Sequence, residues 1–372
     1  MRSTTLCILG SLLAFTSFPG QIRGQDVNLA SLPRLQVGSV IPGRASVPND
    51  INGDGLSEIL LYSPSSSKLQ IWSISLSADQ ASLRKTVLRT ISITPGYLVA
   101  ATGDLDGDGK TDLVFTSAGR DLYLWKSAGN GGFVSSYLGT YPPGWTLIGS
   151  ADLDGDGTDD LLWENTSTCQ FGYWLFKQGV RKSTATYPFD CGDTPVAIGY
   201  YSLSRRASVV WSDPSHNLVV RDAVDGGFSS DSLGSYPSDE FVYSLGGGNQ
   251  GGDMFLMTAS ADNSSFSDRY FSRNFSIAGK QTSWTRGTFG YGGKSATEFS
   301  GGFMVRAQGF NRTGLVTFNQ HSYSFSLQPS LLVCVPSTNP YDGYSLSPNM
   351  TCQEFQLDTG WIPVGATAAA AD

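Results

Sequence analysis

Only two histidines, His216 and His321, occur among 372 residues, and neither has a second ligand at metal spacing. With no GxSxG and no HExxH anywhere, histidine-based catalysis has little to be built from. Lys and Arg number 24 against 32 Asp and Glu, a formal charge of -8. The basic face that a nucleic-acid partner needs is therefore missing. Charged residues make up only 15% of the chain, and no long stretch carries helical periodicity. No run approaches about 18 uninterrupted apolar residues, so the sequence offers no membrane-spanning segment.

What is abundant points elsewhere. Glycine, at 44 residues, and aromatics, at 12%, suggest many short strands joined by tight turns, the composition of an all-β protein. Residues 1–24 open with Arg2, run through an apolar stretch from Leu6 to Phe18 and end in small residues around Gly20 and Gly24. This is the layout of a secretory signal peptide, and it predicts a secreted, extracellular chain. Loss of Arg2 and Arg23 with that segment takes the charge to about -10. Five N-x-S/T sequons, at Asn165, Asn263, Asn274, Asn311 and Asn349, agree with a glycosylating secretory route. Removing Cys7 with the signal leaves Cys169, Cys191, Cys334 and Cys352, an even number suited to an oxidising compartment. Three pairings are open, of which sequence neighbours are the simplest.

About 348 mature residues are long for one compact domain, yet no linker divides them. A repeat of roughly 50 residues resolves the tension, and 25–372 reads as a single domain of repeated units. Three copies carry DINGDGLSE from Asp50 to Glu58, DLDGDGKTD from Asp104 to Asp112, and DLDGDGTDD from Asp152 to Asp160. Prolines 95, 142, 188 and 237 recur in phase, the last three in Tyr-Pro pairs. Beyond Pro188 the phase continues without the acidic loop: Val196 to Trp211 aligns with Thr146 to Trp163 but has lost every carboxylate. Weaker copies follow at 241–257 and 303–318. Each unit reads as strand, loop, strand, short turn, strand, a small sheet that cannot bury its faces alone. A β-propeller of four-stranded antiparallel blades stacks such sheets with only short edges exposed. Calcium-bearing blades would span about 35–185 and degenerate blades about 186–366. Some 342 residues at about 50 per blade favour seven blades over six. GWIPVGA at 360–366 resembles GWTLIGS at 144–150, and it reads as an inner strand closing the ring.

The three acidic loops have the chemistry of a Ca2+ cage, with oxygens at alternating positions and a glycine at the sharp turn. The first offers Asp50, Asn52, Asp54, the Leu56 carbonyl and Glu58. The second offers Asp104, Asp106, Asp108, the Lys110 carbonyl and Asp112. The third offers Asp152, Asp154, Asp156, the Thr158 carbonyl and Asp160. A helix-loop-helix site would need a Glu at position 12, where this chain has Leu61, Phe115 and Trp163. Each loop is accordingly a hairpin between strands. A single acidic Gly-rich loop can be an ordinary solvated turn. Three in register with the repeat make a calcium reading, about three ions in all, much the stronger. With all ligand positions filled by protein, the role expected of the metal is structural.

GDLDGDGKTDLVF (103–115) and ADLDGDGTDDLLWEN (151–165) resemble the FG-GAP/VCBS repeats of integrin-alpha-like β-propellers, a likeness that is clear over about 35–180. The resemblance implies a seven-bladed propeller, adhesion or glycan binding, and calcium in the hairpin loops. The blades after Pro188 depart from it by lacking the ligands.

Other features carry less. GGGNQGG contains a GxGxxG but is followed by the apolar strand DMFLM, so it reads as a hairpin rather than a nucleotide loop. Trp72, Trp125, Trp163, Trp174 and Trp211 recur at corresponding strand ends and read as packing between blades. Trp145, Trp284 and Trp361 are freer to stack on sugar. The best reading is a secreted binding or adhesion module for a glycan or extracellular protein, with no catalytic residue assigned. The alternatives are a calcium-assisted lyase of acidic polysaccharide and a structural matrix or wall component.

Overall fold

A computed structural model describes residues 49–364 except 80, 200–205, 239, 248–253, 261–266, 276–280, 291–298, 307–312, 320–329 and 337–349. The signal segment, Asn263, Asn311, Asn349 and His321 lie outside the described residues.

The strands fall into four-stranded antiparallel sheets. Blade 1 contains β1 (Ile59–Ser63), β2 (Lys68–Leu76) and β3 (Leu83–Ser92). Blade 2 is β4 (Tyr97–Gly103), β5 (Asp112–Ser117), β6 (Asp121–Ser127) and β7 (Phe133–Thr140). Blade 3 is β8 (Thr146–Ala151), β9 (Asp160–Asn165), β10 (Gln170–Lys177) and β11 (Val180–Pro188). Blade 4 is β12 (Thr194–Gly199), β13 (Ser208–Ser212), β14 (Asn217–Val224) and β15 (Gly227–Ser235). Blade 5 is β16 (Glu240–Gly247), β17 (Met254–Ser260), β18 (Ser267–Phe275) and β19 (Gln281–Gly290). Blade 6 is β20 (Phe299–Arg306), β21 (Thr313–Asn319), β22 (Ser330–Pro336) and β23 (Met350–Gln356). The last strand, β24 (Ile362–Pro363), returns to pair with β1 and supplies the first strand of blade 1.

Closure is thus made by the two ends of the described chain, as the GWIPVGA likeness anticipates. Packing agrees: Leu331, Val333 and Val335 of β22 share a buried cluster with Ile59, Leu61 and Trp72 of blade 1. The described residues hold six such sheets, where the division by period favours seven. That division also counts residues 25–48, which lie outside the described residues.

Sequence explains the layering within a blade. The second strand lies between neighbours on both faces, so ILLYS in β1, DLLWEN in β9 and SVVWS in β13 are buried throughout. The fourth strand is an edge, and β3 and β11 carry the Lys, Arg and Thr residues that keep an edge from pairing further. One residue after each of these fourth strands hydrogen-bonds back across its own blade: Tyr141 N–H to Arg120 O at 3.0 Å after β7, Phe189 N–H to Cys169 O at 3.0 Å after β11. Their rings then reach the next blade, Tyr141 lying 4.8 Å from Trp163 and Phe189 4.9 Å from Trp211. The strand-end tryptophans do pack between blades. Cys169 and Cys191 form a disulfide with Cα atoms 5.2 Å apart, tying the β9–β10 turn to the linker before β12. Register sets Cys334 opposite Cys352 in β22 and β23. Among the described residues no helix is long and apolar enough to cross a membrane.

Candidate metal centres in three hairpin loops

The second and third acidic loops join the first strand of a blade to its second, and the first loop leads directly into β1. Position 9 falls at the strand start, at Asp112 and Asp160, with Glu58 one residue before β1. Positions 1 and 9 are buried, position 3 is half-buried and position 5 is exposed. Each loop curls around its first aspartate. Asp50 accepts N–H bonds from Gly53 at 2.7 Å, Asp54 at 3.1 Å and Gly55 at 2.8 Å. Asp104 repeats this with Gly107 at 2.8 Å, Asp108 at 3.1 Å and Gly109 at 2.9 Å. Asp152 holds Gly155 at 2.6 Å and Gly157 at 2.8 Å. The wrap needs left-handed backbone at positions 4 and 6: φ is +80° at Gly107 and +88° at Gly109, as glycine permits.

The carboxylates of Asp104, Asp106 and Asp108 have oxygens within 4.8 Å of one another, and so do those of Asp152, Asp154 and Asp156. In the first loop position 3 is Asn52, whose amide donates to Glu58 at 2.8 Å and Asp54 at 3.1 Å. Position 9 is a backbone anchor in every loop. Asp112 accepts from Leu105 N–H at 3.2 Å and Ser127 N–H at 2.8 Å, and Asp160 from Leu153 and Phe176, both at 2.9 Å. Glu58 accepts from Ile51 N–H at 2.7 Å. Each carboxylate oxygen keeps a second lone pair, so anchoring leaves it able to face a cation.

Burial without a counter-charge pushes these carboxyls up. Asp104 rises to about 7, through desolvation first and then the neighbouring Asp159. Desolvation is also the main cause at Glu58, Asp112 and Asp160, each pushed up to about 8. Buried anions are tolerated when paired or metal-bound. Here the cations close by are lysines at the rim, Lys110 on Asp108, Lys177 at 3.3 Å from Asp156 and Lys126 at 3.6 Å from Asp106. Hard oxygen donors over a buried negative floor fit Ca2+.

The loops are also joined to one another, which spacing alone does not reveal. The position-8 N–H donates to the position-1 carbonyl of the preceding loop, Thr111 to Asp50 and Asp159 to Asp104, both at 2.7 Å. Ala207 of blade 4 makes the same 2.7 Å bond to Asp152 although its blade has no acidic ligands. The position-7 side chain leans over the earlier loop, so that a methyl on Gly53 would meet Lys110 at 3.0 Å. Asp159 adds a reciprocal bond, its Oδ2 accepting from Asp104 N–H at 2.8 Å. The ligand pattern passes over Asp159; its only trace is the extra acid in DGTDD.

Of the other predicted residues, Asn165 is 6% exposed, with Oδ1 accepting from Ser167 and Thr168. Asn274 lies in β18 and Trp284 in β19.

A closed ring of four-stranded blades with acidic hairpins defines a β-propeller. Within it, the FG-GAP-like repeat family matches residues 50–115 and 104–163, and this part of the chain is built of FG-GAP-like repeats. No curated protein matches the chain. Solved structures similar in fold include SapL1 lectin in complex with alpha methyl fucoside, at 13% identity and TM-score 0.40, covering 84% of this chain and 96% of that one. AofleA from Arthrobotrys oligospora is 11% identical with TM-score 0.45, covering 91% and 92%. The WD40 domain of SCAP from fission yeast is 10% identical with TM-score 0.31, covering 81% and 73%.

Proposed function

We propose that the chain is a secreted calcium-binding β-propeller that serves as a binding or adhesion module for a glycan or an extracellular protein, with calcium in a structural role. The supporting observation is the loop-to-loop chain of hydrogen bonds, Thr111 to Asp50, Asp159 to Asp104 and Ala207 to Asp152. A cation held in such a loop fixes a hairpin that also positions its neighbour, which is what a staple between blades requires. The loops' carboxylates are buried at positions 1 and 9, and their amide and lysine partners come from the protein itself, which suits support better than turnover. About three ions would occupy Asp50 to Glu58, Asp104 to Asp112 and Asp152 to Asp160.

The test is an array of glycans and matrix proteins probed with the full chain in millimolar calcium and again in chelator. The reading expects retention of a defined ligand, lost in chelator only as the fold loosens. Turnover of a polyuronate without retention of any ligand would contradict it.

A further inference from the structure

We propose that the aromatic cleft of blade 3, bounded on one side by the Tyr141–Pro142 linker that follows blade 2, is a subsite for one pyranose ring, with Trp145 as its stacking platform. The proposal rests on the glycan reading above and gives it a place. The cleft has a volume of about 160 Å³ and is walled by Tyr141, Trp145, Trp163 and Trp174, with Thr184 and Thr186 at its rim. Its position follows from topology. Tyr141 and Trp145 precede β8 and Trp163 lies late in β9, Trp174 and Thr184 stand opposite each other midway along β10 and β11, and the acidic loop joins the other ends of β8 and β9.

Three features select a sugar. The first is that the wall rings are spent on one another except Trp145. Trp163 lies 4.8 Å from Tyr141 and 4.7 Å from Trp174, and Trp174 carries the Arg181 guanidinium at 4.3 Å. No such ring partner is seen for Trp145 among the described residues, and it is half-buried, with its six-membered ring set against Gly172. A methyl on Gly172 would stand 3.1 Å from that ring, so glycine is what admits the indole. In blade 2 the corresponding residues by register are Tyr97 and Tyr123. There Tyr97 is engaged, its hydroxyl on Asp121 and its ring 5.7 Å from Tyr123. Secondly, Trp163 is 2% exposed and its Nε1–H has no hydrogen-bond partner. A sugar hydroxyl that reaches that donor would accept its N–H, which an apolar ligand cannot do; Trp211, the corresponding residue of blade 4, has the same unpartnered donor. Thirdly, the mix is right: the C–H face of a pyranose suits the negative face of an indole, while its hydroxyls suit the threonines of the rim. A volume of about 160 Å³ is of the order of one sugar ring.

The experiment titrates the full chain in calcium with methyl glycosides of fucose, galactose, glucose, mannose and N-acetylglucosamine. It reads tryptophan fluorescence and calorimetry, beside a glycan array on the same material. Trp145→Ala and Trp163→Phe are compared at matched melting temperature; phenylalanine already fills the equivalent place at Phe115 in blade 2. One glycoside should bind saturably, about tenfold or more weaker in Trp145→Ala and about threefold to tenfold weaker in Trp163→Phe, the latter measuring the lost N–H donor. Binding undiminished in both variants would overturn the subsite and spare the glycan reading. So would a positive array with no glycoside saturating the wild type. An array negative for every glycan would overturn the glycan reading and the subsite with it.

Discussion

Asp159 shows how one side chain can serve a site whose ligands it does not belong to. It is 5% exposed, and it donates its N–H to the Asp104 carbonyl while its carboxylate accepts the Asp104 N–H. Asp159→Ala would leave that N–H buried without a partner, a cost of about 1–3 kcal/mol. Asp159→Asn keeps an acceptor. We therefore expect the alanine variant to melt several degrees lower and to bind the second-loop calcium several-fold more weakly, with the asparagine variant between it and wild type. Equal melting and calcium titrations for all three would remove Asp159 from the loop. The pH response of the metal-free protein follows from the buried carboxyls. Glu58, Asp112 and Asp160 are raised to about 8 and Asp104 to about 7. A carboxyl whose folded value is raised favours the fold when protonated, so its contribution is present below about pH 4 and lost as pH climbs towards 8. In chelator, melting temperature should fall between pH 5 and pH 8. Excess calcium should flatten or reverse that fall, because the metal takes the place of the proton. Equal slopes with and without calcium would show that these carboxyls do not face the ion.

At the level of the hairpin, each loop should fail locally. Asp108→Ala and Asp156→Ala each remove the position-5 carboxylate of one cage, and contacts in a repeat array run mainly between neighbours. Each variant should lose about one calcium per chain and melt lower while staying folded, as calorimetry and circular dichroism would show. Lost polyuronate turnover in a variant with an unchanged melting curve would favour chemistry over stapling. Cys169–Cys191 closes a loop of 22 residues, for which the chain-entropy model gives about 3 kcal/mol. Selective reduction or Cys169→Ser with Cys191→Ser should lower stability by about that amount, and a loss below about 1 kcal/mol would mean the linker is already held by Phe189 on Trp211. These hairpins are also where the sequence is most readable. Oxygen donors at alternating positions with glycine between them suit a caged cation and little else, and the buried second strands announce themselves as apolar runs. The joints between units are harder to read. Tyr-Pro pairs recur near the blade ends, yet in blade 3 Tyr187 lies 5.4 Å from Phe228 of blade 4 and it is Phe189, two residues on, that lies against Trp211. A two-residue slip is invisible to a period of about 50, although it changes which ring takes the place that Tyr141 holds against Trp163. Asp159 escapes for a related reason, since its role lies in a contact between two loops whose starts are 48 residues apart, Asp104 and Asp152.

For the whole ring, stability depends on closure. Blade 1 takes its first strand from Ile362–Pro363 and packs Ile59, Leu61 and Trp72 against β22 of blade 6. The acidic loops lie in the first three blades, linked in series by the bonds from Thr111, Asp159 and Ala207. Ions in those loops would hold one half of the ring. Calcium that binds only the folded chain stabilises it by mass action. Taking a dissociation constant of about 0.1–1 mM, as in extracellular oxygen-ligand sites, about 10 mM calcium gives about 1.4–2.7 kcal/mol per site. The decisive measurement is a calorimetric melt of the mature chain in about 10 mM calcium and in excess chelator at neutral pH. The account predicts a higher melting temperature with calcium, graded with its concentration and reduced stepwise in Asp108→Ala and Asp156→Ala. Superimposable curves in calcium and chelator would contradict it.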